Sequence, residues 1–309
     1  MDVIYDVIII GAGPAGLTAG LYTSRAKLNT LIIEREKFGG ELLDRDLIEN
    51  YPGYPNGVSG PELGSNMASQ VMNYGTQIQF DEVEQIDIDE DYKIIKTAQG
   101  NYRSKALIIA GGAHPMKLGV PGEQEFADRG VFYCATCDGP RFANKEVAVA
   151  GGGNSGMTEA LLLARMVSKV TIIEMLPQLT GTKIIQERIS SNPKIETMCG
   201  VKIEAIRGDD QVKALDLLDM QTGQKSTLEV DGILVWIGLI ANTDYLKGKV
   251  PLNEEGQILV NAQMETEIPG VFAAGDIRHN SPMQITTAVG DGATAALSLE
   301  RYLQSLSTA

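Results

Sequence analysis

The chain has few of the groups that bind metals or brace secreted folds. Its 309 residues include three cysteines, two histidines and one tryptophan. A structural zinc site takes four thiolate or imidazole ligands. Beyond Cys134 and Cys137 only Cys199, His114 and His279 remain, scattered along the chain, so no metal is expected. Three cysteines make no secreted disulfide framework, and a reactive pair suits a reducing compartment. Cations are short too: 26 Lys and Arg against 40 Asp and Glu leave a net charge of −14. That disfavours nucleic acid and anionic membranes as partners. Long apolar runs are also missing. The apolar stretch 7–10 follows no basic segment and is far too short for a signal or a membrane span. A cytoplasmic protein is expected.

Glycine, by contrast, is plentiful at 34 residues, clustered after predicted strands, and the length suits two domains. The apolar, β-branched run 5–10 reads as a buried parallel strand. Gly11-Ala12-Gly13-Pro14-Ala15-Gly16 follows, then a helix over 17–25 and a strand over 30–33 that ends at Glu34. This is a βαβ unit with G-x-G-x-x-G in its turn. Its glycines let the backbone approach a pyrophosphate at the helix N-terminus, and Glu34 suits ribose hydroxyls. The irregular segment containing Gly39, Gly40, Leu42 and Asn50 reads as a cofactor-wrapping loop. A helix over 61–73, a β-meander over 77–103 and a buried strand over 106–110 ending at Gly111-Gly112 come next.

The stretch 118–123 reads as a linker, after which the pattern restarts. A strand over 146–150 leads into Gly151-Gly152-Gly153-Asn154-Ser155-Gly156, a second G-x-G-x-x-G. A helix over 157–166 and a strand over 170–173 ending at Glu174 complete an internal repeat. Late strands are expected over 231–238 and 270–274, the latter closed by Gly275-Asp276, and a last helix over 284–303. Between linker and repeat lies Cys134-Ala135-Thr136-Cys137-Asp138. Two cysteines at this spacing can close and reopen a disulfide, and a helix start there favours a thiolate. Asp138 is placed to shuttle the proton of thiol–disulfide exchange.

In order and spacing these stretches resemble the low-molecular-weight thioredoxin reductases over essentially the whole chain. Residues 273–276 and 284–292 complete the set. The resemblance implies an α/β fold of two Rossmann-like domains, the second inserted into the first. An FAD domain would comprise 1–118 and 244–309, with a nicotinamide-type domain over 119–243. It implies a homodimer and a Cys134/Cys137 pair that cycles between FAD and a thioredoxin-like protein. Gly11, Gly13, Pro14, Ala15, Gly16 and Glu34 would hold the pyrophosphate and adenosine ribose of FAD, with Gly40, Leu42, Gly112 and Gly275 lining the cofactor. Asn50 would lie near the isoalloxazine, Asp276 on the ribityl or phosphate side, and Gln284 and Ile285 close to the flavin. Asp276 has a rationale of its own, since a carboxylate after a buried strand and glycine can accept sugar hydroxyls.

The chain departs from the family at the second nucleotide site, where Gly151, Gly153, Asn154, Ser155, Gly156 and Glu174 are the candidate residues. In NADPH-using members the second strand ends in His-Arg-Arg, with a further Arg four positions on. Here the sequence reads Glu174-Met175-Leu176-Pro177-Gln178-Leu179-Thr180, and Met283 stands where an Arg is usual. A donor other than NADPH is therefore expected: ferredoxin, a deazaflavin, a second flavin or NADH. An NADH-dependent flavoprotein oxidase or peroxiredoxin reductase, or a ferredoxin–NADP reductase, is the alternative on the same scaffold. The dithiol speaks against the last of these.

Overall fold

The computed structural model of the chain describes residues 3–45, 47–89, 91–246 and 248–308. The chain forms two compact α/β units, Met1–His114 with Ile240–Ala309, and Pro115–Leu239.

The first unit is built on a seven-stranded sheet. Ile4–Ile10 pairs in parallel with Thr30–Glu34 on one side and Gly100–Ile109 on the other. Val7, Ile8 and Ile9 are fully buried, which is why this strand is apolar throughout instead of alternating. Gln77–Phe80 extends the parallel side beyond Thr30–Glu34. Gly100–Ile109 serves two neighbourhoods. Its first half runs antiparallel to Lys93–Thr97, itself paired with Val83–Ile88, and its last three residues lie parallel to Val271–Ala273. The stretch expected as one meander is thus a parallel edge strand followed by three antiparallel strands.

Helices Pro14–Arg25, Gly60–Met72 and Ile285–Thr308 accompany this sheet. The first and last touch through small residues. A Cβ on Gly292 would fall 2.2 Å from the Ala15 carbonyl oxygen, so only glycine allows that approach.

The second unit repeats the plan. A parallel sheet runs in the order Ile195–Cys199, Lys169–Glu174, Glu146–Ala150, Gly232–Val235, Val131–Phe132. Helices Asn154–Leu163 and Lys183–Ser190 accompany it, and Val201–Gly208, Val212–Asp219 and Lys225–Glu229 form a separate antiparallel sheet. Among the described residues no helix is long and apolar enough to cross a membrane.

The chain passes between units at His114/Pro115 and at Leu239/Ile240, four residues ahead of each expected boundary. The reason lies in Glu123, which is buried. Its carboxylate accepts the Leu118 and Gly119 N–H groups at 2.8 and 2.7 Å and the Tyr133 hydroxyl at 2.8 Å. Ile206 N–H donates to the Pro121 carbonyl, and a Cβ on Gly122 would fall 2.0 Å from the Ile206 carbonyl oxygen. Residues 118–123 look like a linker in composition but are bolted into the second unit.

Candidate functional site

The Gly-rich turn of the first unit is shaped by contacts that only glycine permits. A Cβ on Gly11, at φ +99°, would fall 2.4 Å from the Ala110 carbonyl oxygen, and one on Gly16 would fall 1.9 Å from the Gly11 carbonyl oxygen. Gly13 differs: its φ is −76°, and a Cβ there would meet nothing within 4 Å. The turn is tight where it folds and open where it faces outward. Pro14 begins the helix, no side chain caps it, and the helix end is left to receive an anion.

Glu34 closes the turn. Its Oε2 accepts the Ala12 N–H at 2.7 Å and its Oε1 the Glu36 N–H at 3.0 Å. The following loop folds back over the turn, with Gly39 N–H on the Ala12 carbonyl and Gly40 so near that its Cβ would lie 3.3 Å from the Gly13 Cα. Leu42 is buried behind it with Ile48, Val58 and Leu63, and Ile285 packs on that cluster.

Residues far apart in sequence meet in this unit. Asn50 Nδ2 donates to Gln284 Oε1 at 3.0 Å across 234 residues. Gly112 sits at φ +66° with open space beside it. Gly275, at φ +83°, would bring a Cβ to 3.0 Å from the Ala15 Cβ. Asp276 takes a hydrogen bond from Ser281 Oγ at 3.1 Å. Burial, seconded by the Asp291 charge, pushes its carboxyl above the usual range against the pull of Ser281 and Arg278. A carboxyl held this way gains from a ligand hydroxyl that donates to it. Asp291 itself is buried; it accepts the Gly275 N–H at 3.1 Å and both arms of the Arg278 guanidinium, at 2.7 and 2.9 Å. A glycine turn open at Gly13, the Glu34 carboxylate beside it and a half-buried carboxyl at Asp276 have the chemistry that could hold a flavin dinucleotide.

The second unit copies the turn. A Cβ on Gly151, at φ +111°, would fall 2.0 Å from the Trp236 carbonyl oxygen, one on Gly156 2.1 Å from the Gly151 carbonyl oxygen, and one on Gly153 no nearer than 3.8 Å to anything. Glu174 Oε2 accepts the Gly152 N–H at 2.6 Å and Oε1 the Leu176 N–H at 2.9 Å. Asn154 turns its Oδ1 to the Thr182 N–H, while the neighbouring Ser155 is exposed. The frame of a dinucleotide turn is present. Beyond Glu174, however, Met175 and Leu176 stand exposed at 55% and 47%.

In the same unit Cys134 and Cys137 are joined as a disulfide at the short helix Ala135–Asp138. Cys137 N–H donates to Cys134 Sγ at 3.1 Å. Phe132 and Phe142 stack beneath with centroids 4.7 Å apart. Asp138 forms an ion pair with Arg141, Nη1 to Oδ1 at 3.1 Å.

The profile of the pyridine nucleotide-disulphide oxidoreductases matches residues 5–292. The chain belongs to that family. It is 42% identical over 304 residues to a thioredoxin reductase of Bacillus subtilis, covering 98% of this chain and 96% of that one. The solved thioredoxin reductase of Lactococcus lactis superposes with a TM-score of 0.96 at 40% identity, over 97% of this chain and 99% of that one. A ferredoxin-flavin thioredoxin reductase from Clostridium acetobutylicum is 29% identical over the full length of both, with a TM-score of 0.56. Within the family the chain is of the low-molecular-weight thioredoxin reductase class, an FAD-binding flavoprotein disulfide oxidoreductase. FAD, when bound, supplies the two-electron centre of such an enzyme.

Glu159, which accepts the Ala135 N–H, and Arg278 went unnoticed in the sequence, and Asp291 entered only within the stretch 284–292, without a role of its own. Arg278 and Asp291 are 13 residues apart, in a loop and a helix respectively, and no local pattern links them.

Proposed function

We propose that the enzyme reduces a thioredoxin-like protein through Cys134 and Cys137 and draws its electrons from a donor other than NADPH. Gly11, Gly13, Gly16, Glu34 and Asp276 hold FAD in this reading, with Asn50 and Gln284 beside it. Reduction of the pair breaks the Cys134–Cys137 bond; one resulting thiolate attacks the partner's disulfide to form a mixed disulfide, the second sulfur displaces the partner and closes the Cys134–Cys137 bond again, and Asp138 shuttles the proton from the enzyme thiol to the leaving sulfur of the partner.

The observation that carries the choice of donor is the exposed apolar pair Met175 and Leu176 directly after Glu174. A 2′-phosphate there would meet a carboxylate and two hydrocarbon side chains. Each missing charge-assisted contact is worth about 1.5–3 kcal/mol, so the loss of two implies at least about a hundredfold weaker binding. A ferredoxin-class donor takes first place, supported by the ferredoxin-flavin relative. NADH is the second reading, favoured by the intact turn of residues 151–156 and by Glu174, which suits free ribose hydroxyls.

Anaerobic mixing of the oxidised protein with reduced ferredoxin, NADH and NADPH, followed at the flavin band, tests this. Fast bleaching by ferredoxin is expected. Fast bleaching by micromolar NADPH overturns the reading, and fast bleaching by NADH alone promotes the second.

A further inference from the structure

The two sulfurs stand on different supports. Cys137 lies on the short helix Ala135–Asp138, and the turn that ends this helix rests on residues 163–166: a Cβ on Gly139 would lie 2.6 Å from Met166 Cε and 3.1 Å from Leu163 Cδ2. Cys134 follows the strand Val131–Phe132, which is two residues long and lies at the edge of its sheet, paired with Gly232–Val235. So short an edge strand fixes its end weakly. A second tie acts through Tyr133, the residue between strand and sulfur. Neighbouring side chains on an extended chain face opposite ways. Phe132 joins the cluster of Phe142 and Leu163, while Tyr133 packs on the cluster that holds Phe126, as do Leu118 and Val120. There the Tyr133 hydroxyl donates to Glu123 Oε1 at 2.8 Å. Glu123 is 5% exposed and is itself held, its two oxygens taking the Leu118 and Gly119 N–H groups at 2.8 and 2.7 Å. Burial, then the Glu123 carboxylate, pushes the Tyr133 phenol up, so it remains a donor. The backbone at Cys134 is thus moored to residues 118–123 by one hydrogen bond with a fixed acceptor.

We propose that Tyr133 and Glu123 are positioning residues for the dithiol, holding Cys134 where Cys137 can reach it and so favouring closure of the pair. Closing a disulfide fixes two sulfurs in one geometry, and it is easier when the chain around them is ordered beforehand. Closure is also the step that releases the partner. The free sulfur attacks the one joined to the partner, the Cys134–Cys137 bond forms, and the bond of the mixed disulfide breaks. The partner's sulfur leaves with that electron pair and takes up a proton. A pair poised to close gives up its two electrons more readily, which makes it the stronger reductant. The inference rests on Cys134 and Cys137 being the working pair.

The test uses Tyr133→Phe in the full-length, FAD-loaded protein. Phenylalanine keeps the ring and its packing and removes only the hydroxyl. Wild type and variant are equilibrated anaerobically at pH 7 with mixtures of reduced and oxidised dithiothreitol, trapped with a maleimide, and counted for free thiols by intact mass. The expected result is a shift toward the dithiol of at least about threefold in the equilibrium constant, a modest share of what a hydrogen bond to a charged group is worth. A bond that merely stabilises the unit contributes equally to the open and closed pair and leaves this equilibrium where it was. Should Tyr133→Phe fail to fold, Tyr133→Leu, which also lacks the hydroxyl, carries the same expectation. A smaller shift, or one toward the disulfide, in the folded variant overturns the proposal. Turnover of thioredoxin by Cys134→Ser and Cys137→Ser is read separately. If either still turns over, the working-pair assignment fails, whereas the dithiothreitol equilibrium of the intact pair still reports on Tyr133.

Discussion

Glu34 and Glu174 hold the same post in their two units. Each accepts, through Oε2, the N–H of the residue 22 positions before it, at 2.7 and 2.6 Å, and each accepts through Oε1 the N–H two residues after it. The loop beyond each then folds back, Gly39 N–H onto the Ala12 carbonyl and Thr180 N–H onto the Gly152 carbonyl. The duplication therefore reaches single hydrogen bonds. What separates the two turns is side-chain chemistry at the ribose end, and that difference can be tested by adding charge.

Met175→Arg with Leu176→Arg should give the second turn an affinity for 2′-phosphorylated nucleotides that the wild type lacks. Each arginine adds about 1.5–3 kcal/mol if it reaches the phosphate, or roughly tenfold and upward in affinity. Titration calorimetry with adenosine 2′,5′-bisphosphate checks this. Both positions are exposed, so stability should barely move. No gain in binding would show that something other than the missing cations keeps NADPH out.

Gly13→Ala and Gly16→Ala should separate binding from folding. A methyl on Gly13 meets no protein atom and its φ of −76° suits alanine, so the FAD-free protein should unfold at its usual temperature. The methyl stands instead on the open face of the turn, and flavin content should fall sharply. A methyl on Gly16 would fall 1.9 Å from the Gly11 carbonyl oxygen and must displace backbone, so that variant should lose both flavin and stability. Thermal unfolding of the FAD-free proteins beside their flavin absorbance decides it.

Asp291→Asn should destabilise the first unit by about 3–5 kcal/mol, because it leaves the Arg278 guanidinium without its charge partner in a site where both side chains are nearly buried. Urea unfolding measures the loss.

The parallel strands and both G-x-G-x-x-G turns were legible in the sequence because they depend on local signals: apolar runs, glycine spacing and a terminal acid. The second unit's antiparallel sheet was not. Val201, Ile203 and Ile206 are its buried residues on the first strand, and a register shift between Ile203 and Ala205 breaks the alternation that would have announced it. Glu159 was hidden for another reason. A lone acid among helical residues normally marks a solvated face, but this one is buried and accepts the Ala135 N–H of the dithiol turn. The linker reading of residues 118–123 fell to the same kind of tertiary fact, the carboxylate of Glu123.

Asp276→Asn should stabilise the FAD-free protein at neutral pH while weakening FAD binding. Burial, followed by the Asp291 charge, raises the folded-state pKa of Asp276 above its unfolded value, although Ser281 and Arg278 pull the other way. A raised carboxyl favours folding while it is protonated. That contribution is complete below the unfolded pKa, near pH 4, and is lost as pH rises through the folded one. Asparagine has no such loss, so its advantage should be greatest above the folded pKa and vanish below about pH 4. FAD binding should respond in the opposite sense, since a carboxylate accepts sugar hydroxyls through two oxygens and an amide through one. Unfolding of the FAD-free proteins across pH 3–8, with FAD affinity by fluorescence at pH 7, reads both effects. A stability gain for Asp276→Asn that is the same at every pH would show that shape, and not ionisation, is what burial penalises at this position.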